Sequence, residues 1–431
     1  MMPASSRSAL RTLLLMTILL YGLLMRMVLA PQPGYRYDVA LNQKWAMSAV
    51  EFGLVRSYRE QIGVNELPNH PPLALATFAG VGYLHQWLQS WVRSWGDEHF
   101  HILIKMPAIF ADLFLSVLLY VVVRVFRGEV GGIAAAATYA FHPAVIYDSA
   151  VWGQTDGIYT LFVAAMLFAV AKRQWYLTGA LTVLAVFSKP QAVVFLPLLF
   201  FISCREWHAL FKVGFSAILA AMTLLLPFMG AMQEVIGVYT NAVGYYNHVS
   251  LGAYNFWWMF LGDRAWQIED TTLLFGILSY RTAGFLLFTC VYACILLGLR
   301  RRLSKAYQLS ERVVSILSAG ALVALTFFLF NTQMHERYAF AFLALGLPVA
   351  FTGLTQAAAY FGVSLLILWN LLGVLPFTAI DQALYAELPT LDVLVACGMV
   401  FLFLLLVVQY FRVQTVSPSG SNSTSNCHTA S

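Results

Sequence analysis

Six short polar stretches hold the side chains of this sequence whose types could do chemistry. They are RYDV around Asp38, NHPPL at 69–73, IKMP at 104–107, YDSAVWGQTD at 147–156, FSKPQ at 187–191 and QMHER at 333–337. Arginine and lysine can bind a phosphate and stabilise negative charge on a departing group. A carboxylate can remove the proton from a hydroxyl that attacks the anomeric carbon of a sugar. Together these groups suit sugar transfer from a phosphorylated lipid, provided that the stretches meet at one place.

One essential carboxylate would suffice for such a reaction, because phosphate is already a good leaving group; glycoside hydrolysis, in contrast, uses two carboxylates. Each residue also has an ordinary structural interpretation. Asp38 could be an exposed loop carboxylate, and Lys189 could mark a helix boundary before Pro190. Asp156 could cap the helix that TDGIYTLFVAAM predicts, and MHER could be a polar hinge that satisfies its own charges.

Asp112 is harder to explain as an ordinary surface residue, because it lies inside the apolar run IFADLFLSVLLY. An unpaired carboxylate in that position costs about 2.5–3.5 kcal/mol on membrane-insertion scales. We therefore expect a cationic partner for Asp112, with Lys105 and Lys189 as the candidates.

Composition indicates the kind of protein that must position these residues. The chain of 431 residues is 60% hydrophobic and 10% charged, whereas soluble domains carry about 25% charged residues. Apolar runs of about 17–25 residues recur along the chain, which is typical of membrane-spanning helices. The sequence therefore predicts an all-α polytopic membrane protein. A nucleic-acid partner is excluded, since the basic residues are scattered over loops and form no stripe.

The distribution of basic residues predicts the orientation. If residues 9–30 span the membrane from a cytoplasmic N-terminus, residues 31–104 form a long extracytoplasmic loop. Within this loop we expect an interfacial helix over PPLALATFAGVGYLHQWLQSWV, with its tryptophans at headgroup level. The later spans are predicted near 106–123, 131–147, 156–171, 176–188, 191–204, 209–228, 282–299, 313–330, 338–354, 357–375 and 391–411.

These spans place the Arg300–Arg301–Arg302 cluster in the cytoplasm, as the positive-inside rule requires. The other cations of the cytoplasmic connections are Arg124, Arg127, Lys172, Arg173, Arg205, Lys305, Arg312 and Arg412. The prediction is about twelve spans, both termini cytoplasmic and all six polar stretches on the extracytoplasmic face. We expect one transmembrane domain over residues 1–411. Residues 412–431 are rich in serine and threonine and are predicted to be a disordered cytoplasmic tail.

Seven motifs follow one another in a recognisable order between residues 9 and 376. They are YRYDVALNQKWA, NHPPL, KMPAIFADL, HPAVIYDSAVWGQTDGIYTLFVAAMLFA, SKPQAVVFLPL, NFWWMFLGD and MHERYAFAFLAL. This order resembles integral-membrane glycosyltransferases of the GT-C superfamily, which take sugars from polyprenyl-phosphate donors. The likeness is to the mannosyl- and glucosyltransferases of lipid-linked and protein glycosylation, and it implies a GT-C-like helical bundle.

The resemblance also implies roles for particular residues. The acidic residue of the first outer loop, which corresponds to Asp38, would be catalytic. Basic residues at outer helix ends would contact the donor phosphate. The predicted site therefore has Asp38 as general base, donor-phosphate contacts from Arg337, Lys189, Lys105 and His335, and sugar or acceptor contacts from Gln154, Asp156, His70 and Glu336.

The function expected from these residues is inverting transfer of a hexose, mannose or glucose, from a polyprenyl-phosphate donor to a glycan, lipid or protein acceptor. It would take place at the extracytoplasmic face of a bacterial cell membrane. No cofactor is implied, and no metal site is predicted because the acids do not cluster in the sequence. Asp148 and Asp156 could bind a divalent metal only if the fold brought further ligands to them.

Two other functions remain open at this point. A transporter or flippase of lipid-linked sugars would place its ionisable residues near the membrane midplane and would need access from both sides. A glycan ligase or polymerase would use a polyprenyl-diphosphate donor. The sequence does not name the sugar, the acceptor or the length of the polyprenyl chain.

Overall fold

The computed structural model describes residues 4–60, 62, 66–388 and 390–412, with side chains from residue 9 onward. The tail predicted over 412–431 lies outside the described residues except for Arg412. The described chain is almost entirely helical, which confirms the predicted all-α polytopic fold. In the first half the helices are α1 (Ala4–Leu29), α2 (Arg36–Arg56), α3 (Pro72–Trp91), α4 (Asp97–Leu103), α5 (Met106–Ala140), α6 (Pro143–Ile146), α7 (Asp156–Ala171), α8 (Trp175–Ser188), α9 (Leu196–Ser203), α10 (Trp207–Leu225) and α11 (Met232–Thr240).

The second half contains seven further helices and four very short strands. The helices are α12 (Phe256–Leu261), α13 (Tyr280–Leu303), α14 (Leu309–Phe330), α15 (Ala341–Ala350), α16 (Leu354–Val374), α17 (Ala379–Glu387) and α18 (Leu391–Phe411). The strands are β1 (Ser250–Leu251), β2 (Leu273–Leu274), β3 (Leu278–Ser279) and β4 (Met334–His335). Single turns of other helix types cover Tyr147–Trp152 (π) and Pro190–Phe195, Leu226–Ala231 and Gly262–Trp266 (3₁₀).

Seven stretches of the described chain are long and apolar enough to cross a membrane. They are Ala9–Leu29, Asp97–Ala140, Trp207–Thr240, Tyr280–Leu303, Leu309–Phe330, Leu354–Val374 and Leu391–Phe411. Four shorter apolar helices coincide with further predicted spans, at Asp156–Ala171, Trp175–Ser188, Pro190–Ser203 and Ala341–Ala350. The break predicted between residues 123 and 131 is a kink at Gly128 (φ 66°) within α5 rather than a loop. The helix α3 is not among the seven, and its interfacial position stays a prediction.

The helix α14 is the centre of the bundle. Its membrane-spanning part is apolar on every side, and 94% of the residues in that part are buried against other helices. A helix with no polar face must be surrounded on every side, and small residues let its neighbours approach closely. At Gly320 an added Cβ would lie 2.6 Å from Leu167 Cδ1 of α7, so α7 packs closely against α14 at this glycine. The QMHER stretch follows α14 directly and is therefore attached to the most enclosed helix of the bundle.

A fully buried ion pair joins α1 to α5. Arg26 Nε lies 3.3 Å from Asp112 Oδ2, and neither side chain has any exposed surface. Arg26 also donates to a backbone carbonyl at the end of α5, and Ser149 donates to Asp112 at 2.6 Å. The expectation that Lys105 or Lys189 is the partner of Asp112 was therefore wrong. The first helix supplies the cation, and it is thereby fixed against the rest of the bundle.

Replacing Arg26 with methionine is expected to destabilise the protein by about 3–5 kcal/mol, because it leaves the Asp112 carboxylate buried without its cation. The double variant Arg26→Met/Asp112→Leu should regain most of this loss, since it removes both charges. The measurement is the thermal midpoint in detergent. Arg11→Met on the same helix is the control, because that side chain is 42% exposed in its pair with Glu129. Equal losses in the Arg26 and Arg11 variants would contradict a special role for the buried pair.

Candidate functional site

The start of α2 is fixed so that Asp38 faces the centre of the site. The Tyr35 amide donates to the Trp152 carbonyl at 3.2 Å, and the two rings stack with centroids 5.6 Å apart. Gly34 has φ +63°, and a Cβ there would lie 2.4 Å from the Trp152 carbonyl. Only glycine combines that backbone conformation with so close an approach. The first loop is therefore attached to the YDSAVWGQTD stretch one helical turn before Asp38.

Asp38 contacts two of the predicted site residues. Its carboxylate accepts a hydrogen bond from Gln154 Nε2 at 2.5 Å, and Arg337 Nη2 lies 3.9 Å from the same oxygen. The side chains of Asp38 and Arg337 are 23% and 14% exposed, so both are sheltered and still reachable. Three polar stretches that are far apart in the sequence thus meet at one carboxylate.

The MHER segment holds a compact set of charges. Arg337 Nη1 donates to Glu336 Oε1 at 2.6 Å, and His335 Nδ1 lies 3.8 Å from the other oxygen of Glu336. Burial opposes ionisation of Glu336, yet the charge of Arg337 and the neighbouring imidazole lower its pKa to about 2. Burial and the charge of Arg337 lower the pKa of His335. Glu336 is therefore ionised and His335 is neutral at pH 7, so His335 can offer one N–H but no positive charge.

Lys189 forms the second cation of the site. Its ammonium donates to Asp156 Oδ2 at 2.7 Å, and the rings of Tyr159 and Tyr338 lie 5.9 Å from it. The backbone of Lys189 is extended (φ −158°, ψ 136°) where α8 ends, because Pro190 disfavours a helical conformation for the preceding residue. The helix boundary and the position of the ammonium therefore have the same cause.

His70 lies close to both cations. Burial, followed by the charges of Lys189 and Arg337, lowers the pKa of His70 from its usual 6.5 to about 3. Its Nδ1 lies 2.7 Å from Asn69 Oδ1, and its ring packs 5.0 Å from that of Trp45. The NHPPL stretch thus reaches the same site as a neutral imidazole.

The depressed pKa of His70 predicts an effect on stability. The unfolded chain binds a proton on this imidazole below pH 6.5, whereas the folded protein does not bind it until about pH 3. His70 therefore contributes stability above pH 6.5 that is lost as the pH falls toward 3. Between pH 7 and pH 4.5 the thermal midpoint of His70→Gln should fall less than that of the wild type. His208→Gln, on the exposed start of α10, is the control. Parallel curves for wild type and His70→Gln would contradict this role.

Lys105 has other partners than the sequence predicted. Its ammonium lies within hydrogen-bonding distance of four backbone carbonyls, those of Ala30 (3.0 Å), Gln32 (2.7 Å), Ala150 (3.1 Å) and Val151 (3.1 Å). An ammonium has three N–H donors, so these carbonyls already satisfy it. Lys105 joins the start of the first loop to the YDSAVWGQTD stretch.

Asp270 is a positioning residue that the sequence did not single out. It is fully buried and accepts hydrogen bonds from Arg281 at 2.7 and 2.9 Å and from Thr332 and Gln333 at 2.7 Å each. Burial alone would raise the pKa of Asp270, but these bonds lower it below its usual value. Gln333 has φ +62°, uncommon for a residue with a side chain, and β4 pairs in parallel with β1. The segment that carries Arg337 is thereby fixed to the outer loop over 241–279.

Asp270→Ala is expected to cost about 1.5–3 kcal/mol of stability, because it leaves several donors without their charged acceptor. It should also raise KM for the donor more than it lowers kcat, since Arg337 would no longer be held in place. Thermal midpoints and steady-state kinetics measure the two effects. Glu269→Ala, at the neighbouring exposed position, should change stability by no more than about 0.5 kcal/mol. Equal effects of the two substitutions would refute the positioning role.

Asp148 is a second residue that sequence reasoning did not place in the site. It is fully buried in the π-helical turn over 147–152, and neither of its carboxylate oxygens has a hydrogen-bond partner among the described residues. Burial, followed by the nearby Asp156 carboxylate, raises the pKa of Asp148 well above its usual value. Single π-helical turns occur often at functional sites. The described residues contain no group of three or more His, Cys, Asp or Glu side chains that could hold a metal.

The fold and these contacts define a polytopic membrane protein with a charged site where the ends of α7, α8, α14 and α15 meet the first loop. The family is indicated by comparison with known proteins. Residues 81–230 match the family model of dolichyl-phosphate-mannose-protein mannosyltransferases. This match confirms the predicted resemblance to the GT-C superfamily and indicates a glycosyltransferase-type enzyme. A comparison with curated proteins found no match.

The matched residues cover part of the site. Lys105, Gln154, Asp156 and Lys189 lie inside residues 81–230, whereas Asp38 and the MHER segment lie outside them. The match thus supports the class of enzyme through residues that include three of the seven motifs. The roles of the individual residues stay predictions.

Proposed function

We propose that the protein is an inverting hexosyltransferase that moves mannose or glucose from a polyprenyl-phosphate donor to a glycan, lipid or protein acceptor. The observation that carries this proposal is the meeting of Asp38 with Arg337 at 3.9 Å in a sheltered site. A base for the acceptor and a cation for the leaving phosphate must stand on either side of one reacting carbon.

The proposed reaction is a single displacement. Asp38 takes the proton of the acceptor hydroxyl while that oxygen forms a bond to the anomeric carbon. The bond between this carbon and the phosphate oxygen breaks, and its electron pair leaves with polyprenyl phosphate. The configuration at the anomeric carbon is inverted because the acceptor attacks from the side opposite the phosphate. Gln154 orients Asp38 through their hydrogen bond.

Arg337 and Lys189 are assigned to the departing phosphate. Arg337 Nε is buried and has no hydrogen-bond partner among the described residues, so it is available to a phosphate oxygen. The ammonium of Lys189 uses one N–H for Asp156, which leaves two of its three donors. Glu336 and Asp156 hold the two cations in position. Neutral His335 can donate one hydrogen bond to the phosphate or sugar, and neutral His70, whose Nδ1–H faces Asn69 Oδ1, can accept one from a sugar hydroxyl through Nε2. We assign Lys105 to holding the first loop instead of binding the phosphate.

The membrane orientation is part of the proposal. Arg300, Arg301 and Arg302 stand at the end of α13 far from the site, and a cluster of this kind favours the cytoplasmic side. We therefore infer that the site lies on the extracytoplasmic face of a cell membrane, with both termini in the cytoplasm. The polyprenyl tail of the donor would lie in the bilayer beside the site.

In the test, the purified protein in nanodiscs is added to membranes that lack this protein. Radiolabelled polyprenyl-phosphate mannose and polyprenyl-phosphate glucose are supplied separately. The expected result is transfer of label from one donor to a new product of inverted anomeric configuration, with release of polyprenyl phosphate. Movement of unaltered donor across a vesicle membrane would support a flippase instead. Transfer only from a polyprenyl-diphosphate glycan would support a ligase or polymerase, and either result would overturn the proposal.

A further inference from the structure

A cavity of about 290 Å³ lies at the end of the bundle opposite the candidate site. It is lined by Arg127 of α5, the end of α13, the first half of α14, the length of α15, the start of α16 and the end of α18. On α14 its wall extends from Val314 to Leu322, and Leu322 lies about 12 Å along the helix from Phe330 at a rise of 1.5 Å per residue. None of the residues of the candidate site lines the cavity, so the cavity is separate from that site.

The polar part of this cavity is positively charged. Its lining contains Arg127, Arg302 and Arg412 and no aspartate or glutamate. Arg302 Nη1 donates to the Tyr410 carbonyl at 3.0 Å, and the guanidinium stacks 5.1 Å from the Tyr410 ring. Arg127 donates to two carbonyls at the end of α15. None of the three arginines forms an ion pair with a described carboxylate, so their positive charge is not balanced within the described chain.

Several polar atoms in this cavity have no partner. Arg302 Nε and both polar atoms of the Gln409 amide are buried and make no hydrogen bond with any described residue. Buried polar groups in proteins are nearly always hydrogen-bonded, and leaving one unpaired costs about 1–3 kcal/mol. Arg302 Nε and Gln409 Nε2 are N–H donors beside the guanidinium, which is the arrangement that binds a phosphate or carboxylate oxygen, whereas Gln409 Oε1 can accept a hydrogen bond.

The remainder of the wall is apolar. Val314, Leu322, Phe342 and Leu406 line it. A soluble anion would gain nothing from this surface. An anion with a hydrocarbon chain fits both parts of the cavity, and the cytoplasmic leaflet, where the positive-inside rule places this end, is rich in anionic lipid.

We propose that this cavity binds the phosphate headgroup and one acyl chain of an anionic phospholipid. Arg302 and Arg412 hold the phosphate, Gln409 hydrogen-bonds the ester region, and the acyl chain lies against α14 and α15. The site is independent of the proposed glycosyl transfer, and binding of the phospholipid can be measured without any donor.

The test measures binding of phosphatidylglycerol to the purified full-length chain. Binding is detected by native mass spectrometry and by the rise in thermal midpoint when lipid is added. Phosphatidylcholine and inorganic phosphate are the comparison ligands. Wild type is expected to bind phosphatidylglycerol at least tenfold more tightly than phosphatidylcholine. Arg302→Gln/Arg412→Gln should lose at least tenfold of this affinity. Arg300→Gln/Arg301→Gln, on the same helix end but outside the cavity lining, should change it by less than twofold.

Loss of the Arg302 contacts with Tyr410 could unfold the double variant. In that case two further variants test whether the cavity binds the lipid. Arg412→Gln removes an exposed charge at the cavity, and Ser318→Leu fills the apolar part without changing the charge; each should weaken binding at least threefold. Equal binding of the two lipids, or unchanged affinity in both of these variants, would overturn the proposal. Equally tight binding of inorganic phosphate would overturn the assignment to a lipid.

Discussion

Replacing Asp38 with asparagine is expected to lower kcat/KM for sugar transfer by about 10²–10⁴-fold, which is the usual contribution of a general base. Asparagine has nearly the same shape as aspartate, and its carbonyl oxygen can still accept the hydrogen bond from Gln154. It cannot take the proton of the acceptor hydroxyl. The loss should therefore fall on kcat, with donor binding and the thermal midpoint close to those of the wild type.

Single-turnover transfer from the labelled donor measures this effect directly. Glu51→Gln is the matched control, because Glu51 is an exposed carboxylate on the same helix, α2. It should retain nearly full activity. A rate for Asp38→Asn above one tenth of the wild-type rate would show that another group accepts the proton.

Arg337→Gln is expected to lower kcat/KM by about 10²–10³-fold, the loss seen when one donor to a developing negative charge is removed. The guanidinium would no longer stabilise the polyprenyl phosphate as it leaves. The affinity of the protein for polyprenyl phosphate alone should fall as well. The measurements are transfer kinetics and product inhibition by added polyprenyl phosphate.

Glu336 complicates this experiment, because it is 2% exposed and would lose its counter-ion. The double variant Glu336→Gln/Arg337→Gln removes both charges and should recover stability. If Arg337 acts on the phosphate, the double variant stays as inactive as the single one. Recovery of activity in the double variant would show that Arg337 serves only to balance Glu336. Arg264→Gln, at an exposed position of the outer loop, controls for a general loss of positive charge.

The sequence by itself determined the class of the protein and the position of most helices. Hydropathy is a local property, and a membrane requires long apolar helices wherever the chain crosses it. Polar residues are costly beside such helices, so the stretches around Asp38, Gln154, Lys189 and Arg337 were recognisable as a group. Their shared position at one end of the bundle followed from the alternation of helix directions, without knowledge of any contact between them.

Only the tertiary structure decided which charges are partners. Asp112 could have paired with any nearby cation, and its partner, Arg26, lies 86 positions away in the first helix. Lys105 had the residue type of a phosphate ligand, but four backbone carbonyls surround it. The anchoring of MHER by Asp270 depends on a loop whose three strands have only two residues each, too short for a periodic pattern. Ion pairs and buried hydrogen bonds depend on distances of a few ångströms between segments, and residue types and local periodicity do not contain those distances.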